Sequence, residues 1–312
     1  MSRLPLRPAT SHARVLATAV LGLAVLGYAL PMFRPGGVAR PMVRNGGAVA
    51  NLARAGQGPA PMTVELGSWG APIGSRFTFR IADRLTRTTR SAAAGARPAE
   101  VLDARCIVTT TVLDRRGDEL LLRHDVRDLS LRDADGRAIA GDPLQVACAA
   151  ACAAPVFVRL ATDGRIRGYA FAEGLAGDQR SFLRGLLGLL SGEVRECEAT
   201  WRDTADDTTG TFVADYRRIE AASGEVAVRR IRREYTTVFG QDLPPVHELR
   251  GATEYRCDTA HGFLAAVRLD EGLTRNVPSL DLQVVSDRVA SVDLLAGERA
   301  AVGTETMETQ RW

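Results

Sequence analysis

The sequence predicts a mainly β protein: an antiparallel β-barrel of roughly ten strands with one central amphipathic helix at about residues 176–191, preceded by an N-terminal apolar helix. Three observations lead there. Beyond Thr63 the apolar residues recur with a period of two, the repeat of a strand with one buried face. Short polar turns separate these runs at regular spacing, as in all-β folds built from neighbouring hairpins. A single stretch, residues 178–192, switches to helical spacing.

The chain opens on a leader. Arg3, Arg7 and Arg14 precede the uncharged run Val15–Leu30, which extends through Phe33 to the next charge at Arg34. A basic segment followed by an apolar one is the export pattern. About 20 apolar residues also suffice to span a bilayer, so residues 1–33 read equally as a signal peptide or a signal-anchor helix. Gly27-Tyr28-Ala29 and Ala48-Val49-Ala50 each offer a small-x-small cleavage site. Either reading puts the body outside the cytoplasm, in the periplasm, on the cell surface or secreted. Residues 34–62 are rich in Pro, Gly and Ala and show no hydrophobic period, the composition of a tether. The barrel domain then covers 63–300, and 301–312 form a tail.

Within the domain Phe77, Phe79 and Ile81 alternate with polar neighbours in Arg76–Arg84. Arg105–Leu113 is β-branched, and Asp114–Asp118 turns it into Glu119–Arg132. Val156–Leu160 and Arg165–Phe171 flank Ala161-Thr162-Asp163-Gly164, whose Asp-Gly pair supplies the positive φ of a tight hairpin. Further strands fall at 193–202, 210–219, 225–239, 246–257, 262–269 and 279–295. The helix has Asp178 as its expected N-cap and Gly192 in the left-handed position after its end. Phe182, Leu183, Leu186, Leu187 and Leu190 form its apolar stripe, which must be buried against the surrounding sheet. These five are the expected core-helix or lipid-contacting residues.

Charge and motifs narrow the function. All 40 basic residues are arginine, which removes the P-loop, Schiff-base and kinase lysine chemistries. Seven of those arginines lie in residues 1–62, which hold no acid; the remaining 33 face 37 acids. Such a mildly acidic body lacks the basic field that nucleic acid requires. His247-Glu248-Leu249-Arg250-Gly251 starts like a zincin helix but has no second histidine, and the acidic run Asp203–Asp207 does not match a calcium loop. Neither a nucleophile elbow nor a dinucleotide fingerprint is present. The expectation is therefore no catalytic residue, no metal and no cofactor.

Five cysteines, Cys106, Cys148, Cys152, Cys197 and Cys257, are disulfide candidates in an exported body, and the odd count leaves at least one unpaired. Cys148 and Cys152 would stand about 13 Å apart in extended chain, beyond bridging reach. In a helical turn they come near enough for a marginal bridge, and a partner on another strand is the favoured expectation.

The segment Val156–Tyr216 resembles the N-terminal barrel of the large lipid transfer proteins, the family of vitellogenin and the microsomal triglyceride transfer protein. The resemblance rests on order: Phe157-Val158-Arg159-Leu160, then Asp163-Gly164-Arg165-Ile166, the helix Arg180–Leu190, and Trp201 through Gly210 to Tyr216 as the family's acidic turn, glycine and tyrosine. Thr211 stands where that pattern commonly carries a cysteine. The resemblance implies a barrel that docks partners or carries lipid, and the expectation is a barrel without the family's long helical and lipid-cavity regions. The expected function is thus an exported or membrane-tethered, non-enzymatic module for lipid binding, lipid transport or partner docking. Its expected partners are a lipid or apolar ligand, a protein, and the membrane through the leader, but no nucleic acid. A ligand-free structural envelope protein and an unrecognised hydrolase are the alternatives.

Overall fold

The computed structural model describes residues 69–91, 95–139, 141–193, 199–206, 211–236, 246–277 and 281–299. The expected leader helix, the tether, the tail and Cys197 lie outside the described residues. Among those described, no helix is long and apolar enough to cross a membrane.

Twelve strands and two α-helices make up this body. In chain order they are β1 (Ser75–Ser91), β2 (Gly95–Ala96), β3 (Glu100–Arg116), β4 (Glu119–Arg132), α1 (Pro143–Ala151), β5 (Val156–Ala161), β6 (Ile166–Ala170) and α2 (Gly177–Leu187). A 3₁₀ turn (Gly188–Leu190) follows, then β7 (Thr200–Asp206), β8 (Thr211–Ile219), β9 (Glu225–Thr236), β10 (Val246–Asp258), β11 (Phe263–Val277) and β12 (Leu282–Arg299). Eleven strands form one antiparallel path, β6-β5-β4-β3-β1-β12-β11-β10-β9-β8-β7, with β2 added beside β1. Along this path, strands adjacent in the sheet follow one another in sequence, β2 aside, everywhere except at its middle. There β1 pairs with β12 from Ser75↔Arg299 to Ser91↔Leu282.

The period-two pattern sets which face turns inward. Phe77, Phe79, Ile81 and Asp83 of β1 are all buried, while Arg76, Arg80 and Arg84 between them are exposed. The inward side chains of β1, β3, β4, β5, β11 and β12 join the leucines of α2 in one core. Phe182 and Leu186 of the helix meet Leu85 of β1 with Leu102 and Ala104 of β3. The carbonyl of Gly185 accepts from Arg288 of β12 at 3.0 Å, and the 3₁₀ turn reaches β11. The sheet therefore coils around the helix. A second, smaller core of Trp201, Phe212, Ala214, Tyr216 and Val228 lies along β7–β9. There Trp201 stacks on its cross-strand partner Tyr216 at 5.1 Å.

Two expectations need correction. The barrel does not close: the ladder ends on β6 and β7, and no backbone pairing joins these strands among the described residues. The physical reason is the route of the chain, which leaves β6, spends 177–190 as the inner helix and only then forms β7. The two edges meet through side chains instead. Arg165, just before β6, pairs with Asp203 of β7 and, at 3.2 Å, with Glu193. The helix ends also differ. Ala176 holds the N-cap position, its N–H donating to the Gln179 side chain at 2.8 Å, whereas Asp178 lies in the first turn. The last turn tightens to 3₁₀ rather than ending on a left-handed Gly192.

The hairpin glycine behaves as expected. Gly164 has φ +88°, and a β-carbon there would lie 1.8 Å from the Gly192 carbonyl oxygen. That carbonyl accepts from the indole of Trp69 at 3.0 Å, so the turn before β6 and the exit of the helix are pinned together. Helix α1 falls where the sequence reading set no element. Asp142 caps it, accepting from the Leu144 N–H at 2.7 Å, and Pro143 fills its first turn.

Candidate functional site: a cleft between the helix and the sheet seam

One side of α2 is sealed by apolar contact; the other is not. Along the residues 184, 185, 188 and 189 the helix faces a cleft of about 550 Å³, bounded on one side by β6 and on the other by β7–β12. Gly188 leaves room on this side. A β-carbon at Gly188 would meet only the Tyr169 hydroxyl, at 3.8 Å.

The cleft floor is apolar, with Leu189 of the 3₁₀ turn and Val267 and Leu269 of β11. Its walls are ionic and aromatic. On the sheet side Arg230 and Arg232 of β9 share the carboxylate of Glu271 of β11, with Arg230 at 3.2 Å. The Thr253 hydroxyl of β10 donates to the same carboxylate at 2.6 Å. Arg230 also lies over the rings of Phe212 and Tyr255, at 5.1 and 5.5 Å. Burial pushes the Glu271 carboxyl up, but the two guanidiniums and the hydrogen bonds outweigh it and hold its pKa below the usual value. At the seam Glu193 behaves oppositely: burial raises its pKa, and Arg165 offsets this only in part. Burial also raises the phenols of Tyr169, Tyr216 and Tyr255, which stay protonated.

On the helix side the guanidinium of Arg184 sits over Tyr169 at 5.8 Å and Phe171 at 5.4 Å. Arg288 of β12 is held by a two-point pair with Asp83 of β1, at 2.9 and 2.8 Å. No histidine or cysteine lines the cleft among the described residues. Its lining combines apolar, aromatic and charged side chains.

The sequence-derived site residues fall elsewhere. Phe182, Leu183, Leu186, Leu187 and Leu190 are buried in the core between helix and sheet and do not line the cleft, whose one leucine from this segment is Leu189. Cys106, Cys148, Cys152 and Cys257 are free thiols, so none bridges another. Cys106 lies on β3, Cys148 is buried inside α1, Cys152 caps that helix and Cys257 lies on β10. Burial pushes all four up to about 12, which leaves them protonated at neutral pH. Among the described residues no three metal-ligating side chains gather. Asp203 is occupied by Arg165, and His261 by Asp258 at 2.6 Å. The side chain of His247 lies outside the described residues.

No family model matches the chain, and no curated protein does. Among solved structures the chain is similar to lipovitellin, from a study of lipid–protein interactions in that protein. The TM-score is 0.57 at 13% identity, over 77% of this chain and 27% of the lipovitellin chain. The fold is lipovitellin-like. The chain spans about a quarter of the length of that lipovitellin chain. A match to DynF from the dynemicin biosynthesis pathway of Micromonospora chersina, with a TM-score of 0.17 at 10% identity, carries no weight.

Proposed function

We propose that this protein is a non-enzymatic lipid-binding module, exported or tethered to a membrane by its leader, that holds one amphipathic molecule in the cleft beside α2. The observation that carries the reading is the cleft itself: an apolar floor, polar walls and a volume of about 550 Å³ inside a lipovitellin-like fold. Cavities of roughly 300–1,000 Å³ are the usual size for small-molecule sites. Apolar surface buried there contributes about 25 cal/mol per Å². The hydrolase alternative finds less support, because Glu193 and Glu271 are both engaged by arginines.

A second reading, docking of an extended protein segment, rests on the open ladder. Strands β6 and β7 each lack a strand neighbour on one side among the described residues, which is the geometry that accepts an added strand. Mass spectrometry of organic extracts from the purified full chain separates the two. The expected result is a co-purifying lipid that disappears in Gly188→Leu, where the new side chain fills the cleft while the backbone conformation (φ −59°) admits it. An empty extract, together with no uptake of a fluorescent fatty acid, would overturn the lipid reading and leave docking.

A further inference from the structure

The charges around the cleft do not balance. Six arginines line it: Arg165, Arg167, Arg184, Arg230, Arg232 and Arg288. Arg165 is met by Asp203 and Glu193, and Arg288 by Asp83. Arg230 and Arg232 share one carboxylate. Arg167 is exposed and water solvates it. Arg184 differs from all of these. It is drawn in from solvent, no carboxylate faces it among the described residues, and the groups around it are two aromatic rings and a second cation, Arg180. Burial and, after it, Arg180 lower its pKa against the opposing effect of Tyr169. A partly desolvated guanidinium compensated only by ring faces is costly unless an anion joins it.

We infer that the cleft takes an anionic amphiphile, with its acid group against Arg184 and its chain along Leu189, Val267 and Leu269. This rests on the reading of the cleft as the lipid site and adds the class of ligand. A neutral lipid would leave the Arg184 charge unanswered. A long-chain carboxylate or a phosphate-bearing lipid answers it, since a guanidinium binds either oxyanion through paired N–H donors.

Displacement of a fluorescent fatty acid from the full chain tests it, with oleate, oleyl alcohol, oleoyl lysophosphatidate and inorganic phosphate as competitors. Oleate or the lysophosphatidate is expected to displace the probe at about a tenfold lower concentration than the alcohol, a gap worth about 1.4 kcal/mol. Whichever acid competes better identifies the headgroup as carboxylate or phosphate. Arg184→Gln is expected to close that gap, and Arg184→Lys to keep most of it. In the unaltered protein the gap should narrow as salt rises, a readout independent of any variant's folding. Equal displacement by acids and alcohol would overturn the inference and leave the lipid reading standing. Persistence of the gap in Arg184→Gln, or phosphate competing as well as its lipid, would overturn it too. A chain that binds no probe at all would remove the lipid reading and this inference together.

Discussion

His124 of β4 shows how one inward position shapes the protein's response to acid. It is fully enclosed, its Nδ1 lies 2.8 Å from the Thr110 hydroxyl across the ladder, and burial lowers its pKa to about 4. Below the ordinary histidine value of about 6.5 the unfolded chain binds a proton that the folded chain refuses until about pH 4. Stability should therefore fall as pH drops through that window and level out beneath it, by about 3 kcal/mol in all. Urea midpoints of the unaltered protein and His124→Asn between pH 7 and 4 check this. The variant should be weaker at pH 7 and show a smaller decline; parallel slopes would assign the acid sensitivity to other groups. Single residues of this kind were partly legible in sequence. Asp83 continues the inward series of Phe77, Phe79 and Ile81, and Glu271 continues that of Val267 and Leu269. Arg230 and Arg232 likewise follow Val228 at every second position. A charge on the apolar face of a strand must be paired, and that signal points to the cleft walls. The partners were not legible, because each pair joins strands distant in sequence.

At the scale of elements, α2 divides its two faces between stability and space. Leu183 is fully buried and Leu186 nearly so, which makes this helix part of the core that closes the concave side of the sheet. Leu183→Ala should cost about 2–5 kcal/mol, and Leu186→Asp should abolish cooperative folding. Thermal melts followed by circular dichroism read both, and a Leu186→Asp chain that melts cooperatively near the original temperature would show the helix to be dispensable. Most strands stand where the period-two pattern put them: Glu119–Arg132 has the same bounds in sequence and structure. Of the stretch expected at 193–202, residues 200–202 are strand and 194–198 lie outside the described residues, and α1 escaped notice although Asp142-Pro143 is a helix start. Its alanines carry no periodic contrast to read. Closure was misjudged for another reason. Whether a sheet joins its own edge depends on accumulated twist and on the route of one connection, which local pattern does not encode.

At the scale of the molecule, the sheet is a run of hairpins opened at its middle. Strand β12 lies between β1 and β11, so it holds the two halves of the ladder together. A chain stopped after Asp281 would keep both halves but leave each with a long unpaired edge, and such edges associate with other chains. It should be insoluble or lack a cooperative melt, as sedimentation and calorimetry would show; a soluble, two-state truncation would mean the halves are independent. The seam at the far edges is of a different kind among the described residues, side chains rather than a ladder, and Arg165 is common to the contacts with Glu193 and Asp203.

The pairing of β1 with β12 also sets a timetable. A ribosome makes the middle of this sheet first and last, so β1, with β3 already at one side, waits through nearly two hundred residues of synthesis before its second neighbour exists. Until then the nascent protein cannot lock, and whatever accompanies it during that interval meets a pliable chain rather than a finished shell.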